Sequence, residues 1–343
     1  MKSIHIQAET LPEAWEKAVI KTWKIGDSFP TQYDKPNDPN SRDVACLIHI
    51  TDPTKEPCIH RAFPGGLDDL EKYRSEVLYG VHDHWVDPKA GKWEYTYHQR
   101  LFEYDVLMKN DQNLPDGVMP LKGACHVDFI NQIQRCIDML KECPYTRRAQ
   151  AVTWKAWEDL GIDDPACLQR LWFRGEESLP REALKKMNEL NKLCDAACTC
   201  SDYDMVNKYI RQISDIKDNT PKVPMLNMNI HIRSNDSYKA AFMNMYAFIE
   251  LQKMVAKATG MEVGSYIHMA DSFHIYGSYF DEFEGFLNTV NNRTFSERVY
   301  DTSFANEFFV DGCNVLLAEE DMPEPKKELV RQRRAYLESI INA

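Results

Sequence analysis

The chain has 343 residues, 43% of them hydrophobic and 27% charged, with a formal net charge of −12. That is material for one large domain, or one domain with insertions, and its negative balance argues against electrostatic capture of a nucleic-acid polymer or an anionic membrane. The opening MKSIHIQAETLPEAWEKAV has no apolar run of signal-peptide length and no window approaches the ~20 apolar residues of a membrane span, so the expected compartment is the cytoplasm, with the ten scattered cysteines as free thiols.

In chain order, SIHIQAE alternates as a strand does, and PEAWEKAVIKTW reads as an amphipathic helix with Pro12 near its start. PTQYDKPNDPNSRD is a loop by composition, VACLIHITD a strand, and LDDLEKYRSEVLYGV a helix. KNDQNLPDGVMPLKG reads as an irregular excursion. DFINQIQRCIDMLKECP is a helix with Phe129, Ile130, Ile133, Ile137 and Leu140 on one stripe. RRAQAVTWKAW and ACLQRLWFR follow as strands. From about 175 to 224 the chain turns charged and helical, with Ser178 and Pro180 as a start signal and Leu184, Met187, Leu190 and Cys194 at helical spacing; this segment reads as an insertion. LNMNIHIRS is a strand, YKAAFMNMYAFIELQKMVAKAT a long helix stopped by Gly260, and VGSYIHMADSFHIYGSYF another strand region. The tail KKELVRQRRAYLESIINA is basic and amphipathic. The expected fold class is α+β, a mixed sheet covered by helices, in a single domain over 1–343.

Several side chains could carry chemistry. Cys167, in the apolar DPACLQRLWF, reads by itself as an inert buried thiol. Asn244 is an amide inside a helix with almost no polar face, costly there unless paired; a packing asparagine bonded to backbone is the plain alternative. Arg42, Arg147, Arg148 and Arg233 are ordinary surface charges one by one, but as a set they suit a phosphate monoester, because guanidinium forks bind phosphate oxygens in pairs. Cys194, Cys198 and Cys200 lack the spacing and the fourth ligand of a metal site and read as incidental thiols, so no metal is expected.

Order and spacing change the weight of these residues. Arg147-Arg148 begins 20 positions ahead of Cys167, Arg233-Ser234-x-Asp236 is followed by Asn244 11 positions after the arginine, and His274-x-Tyr276 begins 30 positions after that. Arg42 stands 34 residues before Glu76, and Tyr97 lies in YHQRL. This set resembles thymidylate synthase and its relatives, the pyrimidine-nucleotide 5-hydroxymethylases, over roughly Arg42 to Tyr276. The resemblance implies a thymidylate-synthase-like fold and a homodimer with shared active sites, Arg147 and Arg148 reaching the partner's site. The substrates it implies are a pyrimidine nucleoside monophosphate and 5,10-methylenetetrahydrofolate. It casts Cys167 as the nucleophile at C6 of the base, which needs a lowered pKa that Arg233 would supply. Glu76 would manage protons at O4, and Tyr97 would assist removal of the C5 proton. Arg42, Arg147, Arg148, Arg233 and Ser234 fall to the phosphate region, His274 and Tyr276 to the sugar hydroxyl, and Asp236, His82 and Trp85 to the folate. Asn244 can accept from N3–H and donate to O4, which matches uracil; a cytosine edge prefers a carboxylate.

The folate side departs from the family pattern. Lys239-Ala240-Ala241-Phe242-Met243 replaces the usual Leu-Gly-Leu-Pro-Phe run, His82 falls where the synthases place a tryptophan, and LESIINA differs from the family's closing tail; positions 300–343 form a divergent tail. Both family reactions pass through an exocyclic methylene at C5. Reduction gives a methyl group, and water gives hydroxymethyl. A histidine and a missing lid favour water, hence a dUMP 5-hydroxymethyltransferase. The alternatives are a conventional thymidylate synthase, a dCMP or CMP hydroxymethylase, and a non-catalytic nucleotide-binding relative.

Overall fold

The computed structural model describes residues 1–105 and 129–342. Strand β1 (Ser3–Ala8) alternates exposed and buried positions, with Ile4, Ile6 and Ala8 inward. Helix α1 (Leu11–Ile25) follows, with Pro12 in its first turn, where a missing N–H is harmless. β2 (Asp27–Phe29) and β3 (Ser41–Ile50) enclose the expected loop, but Ser41, Arg42 and Asp43 belong to the strand. After β4 (Ile59–His60), α2 (Leu67–Tyr79) ends at Gly80, whose φ of 65° is left-handed. A Cβ there would lie 2.2 Å from His98 Nδ1, so only glycine fits the turn that leads to His82 and Trp85.

α3 (Tyr97–Phe102) and α4 (Gln132–Glu142) come next. The expected stripe on α4 holds for Ile133, Ile137 and Leu140, but Phe129 and Ile130 are exposed, because Asn131 caps the helix by accepting from Gln134 N at 2.8 Å. The excursion at 109–123 lies outside the described residues. Of the strand expected at 147–157, only β5 (Gln150–Val152) forms; β6 (Leu168–Ser178) runs longer than expected. Two helices, α5 (Arg181–Thr199) and α6 (Tyr203–Asn219), form a hairpin packed chiefly on itself, and α6 buries no residue. β7 (Val223–Asp236) runs two residues past the expected strand end at Ser234 and takes in the whole Arg-Ser-Asn-Asp run. α7 begins five residues later (Ala241–Thr259) and stops at left-handed Gly260. β8 (Glu262–Ile275), α8 (Phe280–Asn292) and β9 (Val299–Tyr300) precede α9 (Thr302–Leu317) and α10 (Glu324–Ile341).

Among the described residues seven strands make one mixed sheet in the order β1-β3-β8-β7-β6-β5, with β2 also on β3; β4 and β9 pair separately. β1/β3 and β7/β8 are parallel and the other pairs antiparallel. This is the expected α+β architecture. Alternation sends Val44, Cys46, Ile48, Met228, Ile230, Ile232 and Tyr266 into the core, where α1 and α7 cover the sheet. The opposite face carries Leu47, Trp172, Ile267 and Met269, each only half-buried. α9 and α10 pack on α2, fastened by Arg333 to the fully buried Glu71 at 2.8 and 3.0 Å, while Arg74 bridges Glu71 to Glu250 on α7. No helix among the described residues is long and apolar enough to cross a membrane.

Candidate active site

Two cavities meet at the ends of β6, β7 and β8. The larger, about 760 Å³, is walled by Cys167, Arg233, Ser234, His274 and Tyr276 together with the loop after β2. The smaller, about 360 Å³, shares Cys167, Ser234, His274 and Tyr276 and adds Tyr73, Tyr97, Asp236 and Asn244. A third, about 450 Å³, lies behind Tyr97 and is lined by Glu76, Trp93 and Tyr95. Tyr97 is the wall between the thiol and the glutamate.

Cys167 precedes β6. Its N–H donates to Tyr95 Oη at 3.2 Å, and its carbonyl accepts from Arg233 N at 2.9 Å across to β7. The Arg233 side chain donates to the carbonyls of Ala166 (3.1 Å) and Pro165 (2.5 Å), which pins the guanidinium 3.7 Å from Sγ. The expected lowering of the thiol pKa does not occur: burial raises it, Arg233 only partly offsets this, and Asp164 adds to the rise. In this fold Cys167 is therefore a thiol at neutral pH.

Asn244, 7% exposed, sits in the first turn of α7 and accepts from Tyr73 Oη at 2.5 Å. His274, 6% exposed, has no hydrogen-bond partner at Nε2 among the described residues; Tyr276 meets its ring edge-on at 4.6 Å. Tyr97 is held by the start of α3, where Thr96 caps Gln99 N and bonds Asp83, and His98 bonds Asp83 at 2.6 Å. Burial pushes the Tyr97 phenol well above its usual range. Asp236 lines the smaller cavity but spends its oxygens internally, on the N–H groups of Tyr238 and Lys239 and on the Tyr279 hydroxyl.

Glu76 is bonded to His82 Nδ1 at 3.1 Å, and Glu319, from the joint between α9 and α10, stands 3.4 Å from His82 Nε2. The imidazole stacks on Trp85 at 3.9 Å and 7°, while Trp85 Nε1 donates to Asp321 at 3.0 Å. Burial lowers the His82 pKa, but Glu76 and Glu319 outweigh it and the net shift is upward. Both ring nitrogens of His82 are thus engaged by carboxylates, and the joint between α9 and α10 is seated on the turn.

The remaining arginines are not gathered. Ser41 and Asp43 face the larger cavity, so strand alternation turns Arg42 to the other side, where its guanidinium lies 5.2 Å over Trp23; it does not reach the site. Arg147 and Arg148 are exposed at the approach to β5, away from all three cavities. Sequence reasoning missed Tyr73, Tyr95 and Ser272. Ser272, two positions before His274, was the one with a signal, since strand period places it on the same face.

The chain matches the thymidylate synthase family model over residues 71–309, more than half its length. It is 24% identical over 277 residues to a Methanocaldococcus jannaschii protein described as "Putative thymidylate synthase", covering 79% of this chain and 90% of that one. A Methanococcoides burtonii protein with the same description is 22% identical over 285 residues, 83% and 95% of the two chains. The solved thermostable thymidylate synthase A from Bacillus subtilis aligns with 16% identity and a TM-score of 0.48 over 79% of this chain and 82% of that one. The class is that of the one-carbon transferases that use methylenetetrahydrofolate as co-substrate and act on a nucleotide. The chain belongs to the thymidylate synthase family.

Proposed function

We propose that the protein transfers a one-carbon unit to C5 of a uracil nucleoside monophosphate, dUMP, and releases the 5-hydroxymethyl nucleotide. The observation that carries this reading is the shared wall of the smaller cavity, where a thiol, a buried amide and an unpartnered imidazole face one space. Cys167 loses its proton to solvent, Arg233 and the electron-poor ring offsetting the cost of burial, and the thiolate adds to C6 while the C5=C6 electron pair shifts toward O4. Asn244 holds N3–H and O4, His274 and Tyr276 the sugar, and Ser234 the phosphate end. Tyr97 stands between Cys167 and Glu76, placed to pass the C5 proton toward the carboxylate.

5,10-Methylenetetrahydrofolate supplies the carbon as co-substrate. The half-exposed indole of Trp93, on Trp85 at 5.1 Å and beside the Glu76 cavity, offers a flat face to a ring system, with Asp236 across Tyr97. That cavity is polar, with Glu76 and Asp164 in its wall, and supports water at the reacting carbon. With water the balance is nucleotide plus methylenetetrahydrofolate plus water giving hydroxymethyl nucleotide plus tetrahydrofolate. The seating of Glu319 and Asp321 on His82 and Trp85 favours a second reading, hydride transfer and dTMP, because it closes that side against solvent. Product mass separates the two: hydroxymethyl nucleotide without dihydrofolate supports the first, dTMP with equimolar dihydrofolate the second.

The same reading includes a homodimer. Among the described residues four aspartates, Asp34, Asp43, Asp163 and Asp164, line the larger cavity against one arginine, a balance to which a phosphate dianion would add further negative charge and which cations from a second copy would offset. The half-buried sheet face bearing Leu47, Trp172, Ile267 and Met269 suits a second copy, and Trp172 Nε1 bonds the Arg147 carbonyl at 3.1 Å, tying the exposed arginines to that face. Mixing inactive Cys167→Ala with inactive Arg147→Ala/Arg148→Ala restores part of the activity if sites are shared; no recovery contradicts sharing.

A further inference from the structure

The larger cavity holds a hydrogen-bond chain that the reaction scheme does not use. Ser272 Oγ donates to Asp43 Oδ2 at 2.7 Å and lies 3.0 Å from His274 Nδ1. A hydroxyl has one proton. Since it is spent on the carboxylate, Ser272 can only accept from His274, and Nδ1 must carry a proton. The backbone holds the ring in place, because the His274 carbonyl accepts from both the N–H and the hydroxyl of Ser237 at 2.8 Å, and register sets Asp43 directly opposite His274. Burial lowers the His274 pKa despite the nearby carboxylates of Asp236 and Asp43, so the ring is neutral and Nε2 bears a lone pair. Among the described residues that Nε2 is buried and without a hydrogen-bond partner, as are Ser41 Oγ and Asp43 Oδ1 in the same wall.

We propose that Asp43 and Ser272 are positioning residues that fix His274 as the Nδ1–H tautomer, so that the cavity presents an acceptor at Nε2 and engages its ligand through a hydroxyl that donates to it. Given the proposed function, that hydroxyl belongs to the sugar of the nucleoside monophosphate. An Nε2–H tautomer would present a donor instead and would suit a carbonyl or phosphate oxygen. The wall thus recognises hydroxyl donors, which makes a sugar lacking its 3′-hydroxyl a poor ligand.

The test uses the full chain with ¹⁵N-labelled histidine, reading the His274 tautomer by long-range ¹H–¹⁵N correlation, with His274→Asn for assignment. The expected results are an Nδ1–H ring in the wild type, a shift toward Nε2–H in Ser272→Ala and in Asp43→Ala, and restoration in Ser272→Thr. For dUMP, Ser272→Ala raises KM by about 10-fold with kcat nearly unchanged, and the advantage of dUMP over its 3′-deoxy analogue shrinks. An Nε2–H wild type, or an unchanged tautomer in both alanine variants, overturns the proposal. If the tautomer behaves as expected but calorimetry finds no binding of any pyrimidine nucleotide, the proposed function falls and the tautomer control stands.

Discussion

The two sides of the site are built differently. Around Cys167, Arg233, Asn244 and His274, each functional side chain sits on or beside a long strand or helix and is aimed by backbone bonds: Arg233 by the carbonyls before the thiol, His274 by Ser237 and β3. Around Glu76, His82 and Trp85, a short turn is held by carboxylates that arrive from the far end of the chain, Glu319 and Asp321. The first side is a rigid reader of base and sugar. The second is fastened through an ionisable histidine, His82, whose two ring nitrogens face carboxylates.

The sharpest way to break this contrast is at the thiol. Cys167→Ala lowers kcat by about 10⁴-fold or more while leaving nucleotide binding by calorimetry within a few-fold; full activity in that variant would remove the nucleophile from the account. Next in size is Arg333→Ala, which strips Glu71 of a buried partner and lowers unfolding stability by about 3 kcal/mol, read by denaturant titration. It should loosen the C-terminal side and leave dUMP affinity unchanged, so a lost affinity would mean the two sides are not separable.

Asn244→Asp tests the reader itself: the uracil-over-cytosine preference in kcat/KM falls by about 100-fold, and an unchanged preference would give base reading to another group. The smallest effect is the pH response. The His82 pKa is raised in the fold, so its contribution to stability is full below the unfolded value of about 6.5 and is lost as pH rises through the higher folded value. Glu319→Gln removes one raising carboxylate and moves that loss to lower pH. Indole fluorescence from Trp85, stacked on His82, follows the shift, and a pH-independent signal in both proteins would contradict it.

This contrast also explains what the sequence made legible. Cys167, Asn244 and His274 lie at fixed intervals on strongly periodic elements, and those intervals survive folding because the elements between them are regular. Arg42 was misplaced for the same physical reason in reverse. It follows a Pro- and Asn-rich stretch in which strand parity cannot be counted, and one residue of parity turned it onto Trp23. The strand expected to end at Ser234 continues through Asp236, and the helix expected from Tyr238 starts only at Ala241. Glu319 and Asp321 were illegible because their contacts span 237 and 236 residues and depend on how α9 and α10 pack onto α2. The lowered thiol pKa was expected from a neighbouring arginine alone; burial, which no spacing reveals, outweighed it.

The central claim is that Cys167 attacks C6 of a uracil nucleotide. A 5-fluorouracil nucleotide tests it directly, because fluorine cannot leave C5 as a proton does and the adduct stalls. Incubation of the full chain with 5-fluoro-dUMP and methylenetetrahydrofolate, followed by peptide mass mapping, should place both ligands covalently on the peptide bearing Cys167 and on no other cysteine. No adduct, or an adduct confined to a different cysteine, would contradict the account.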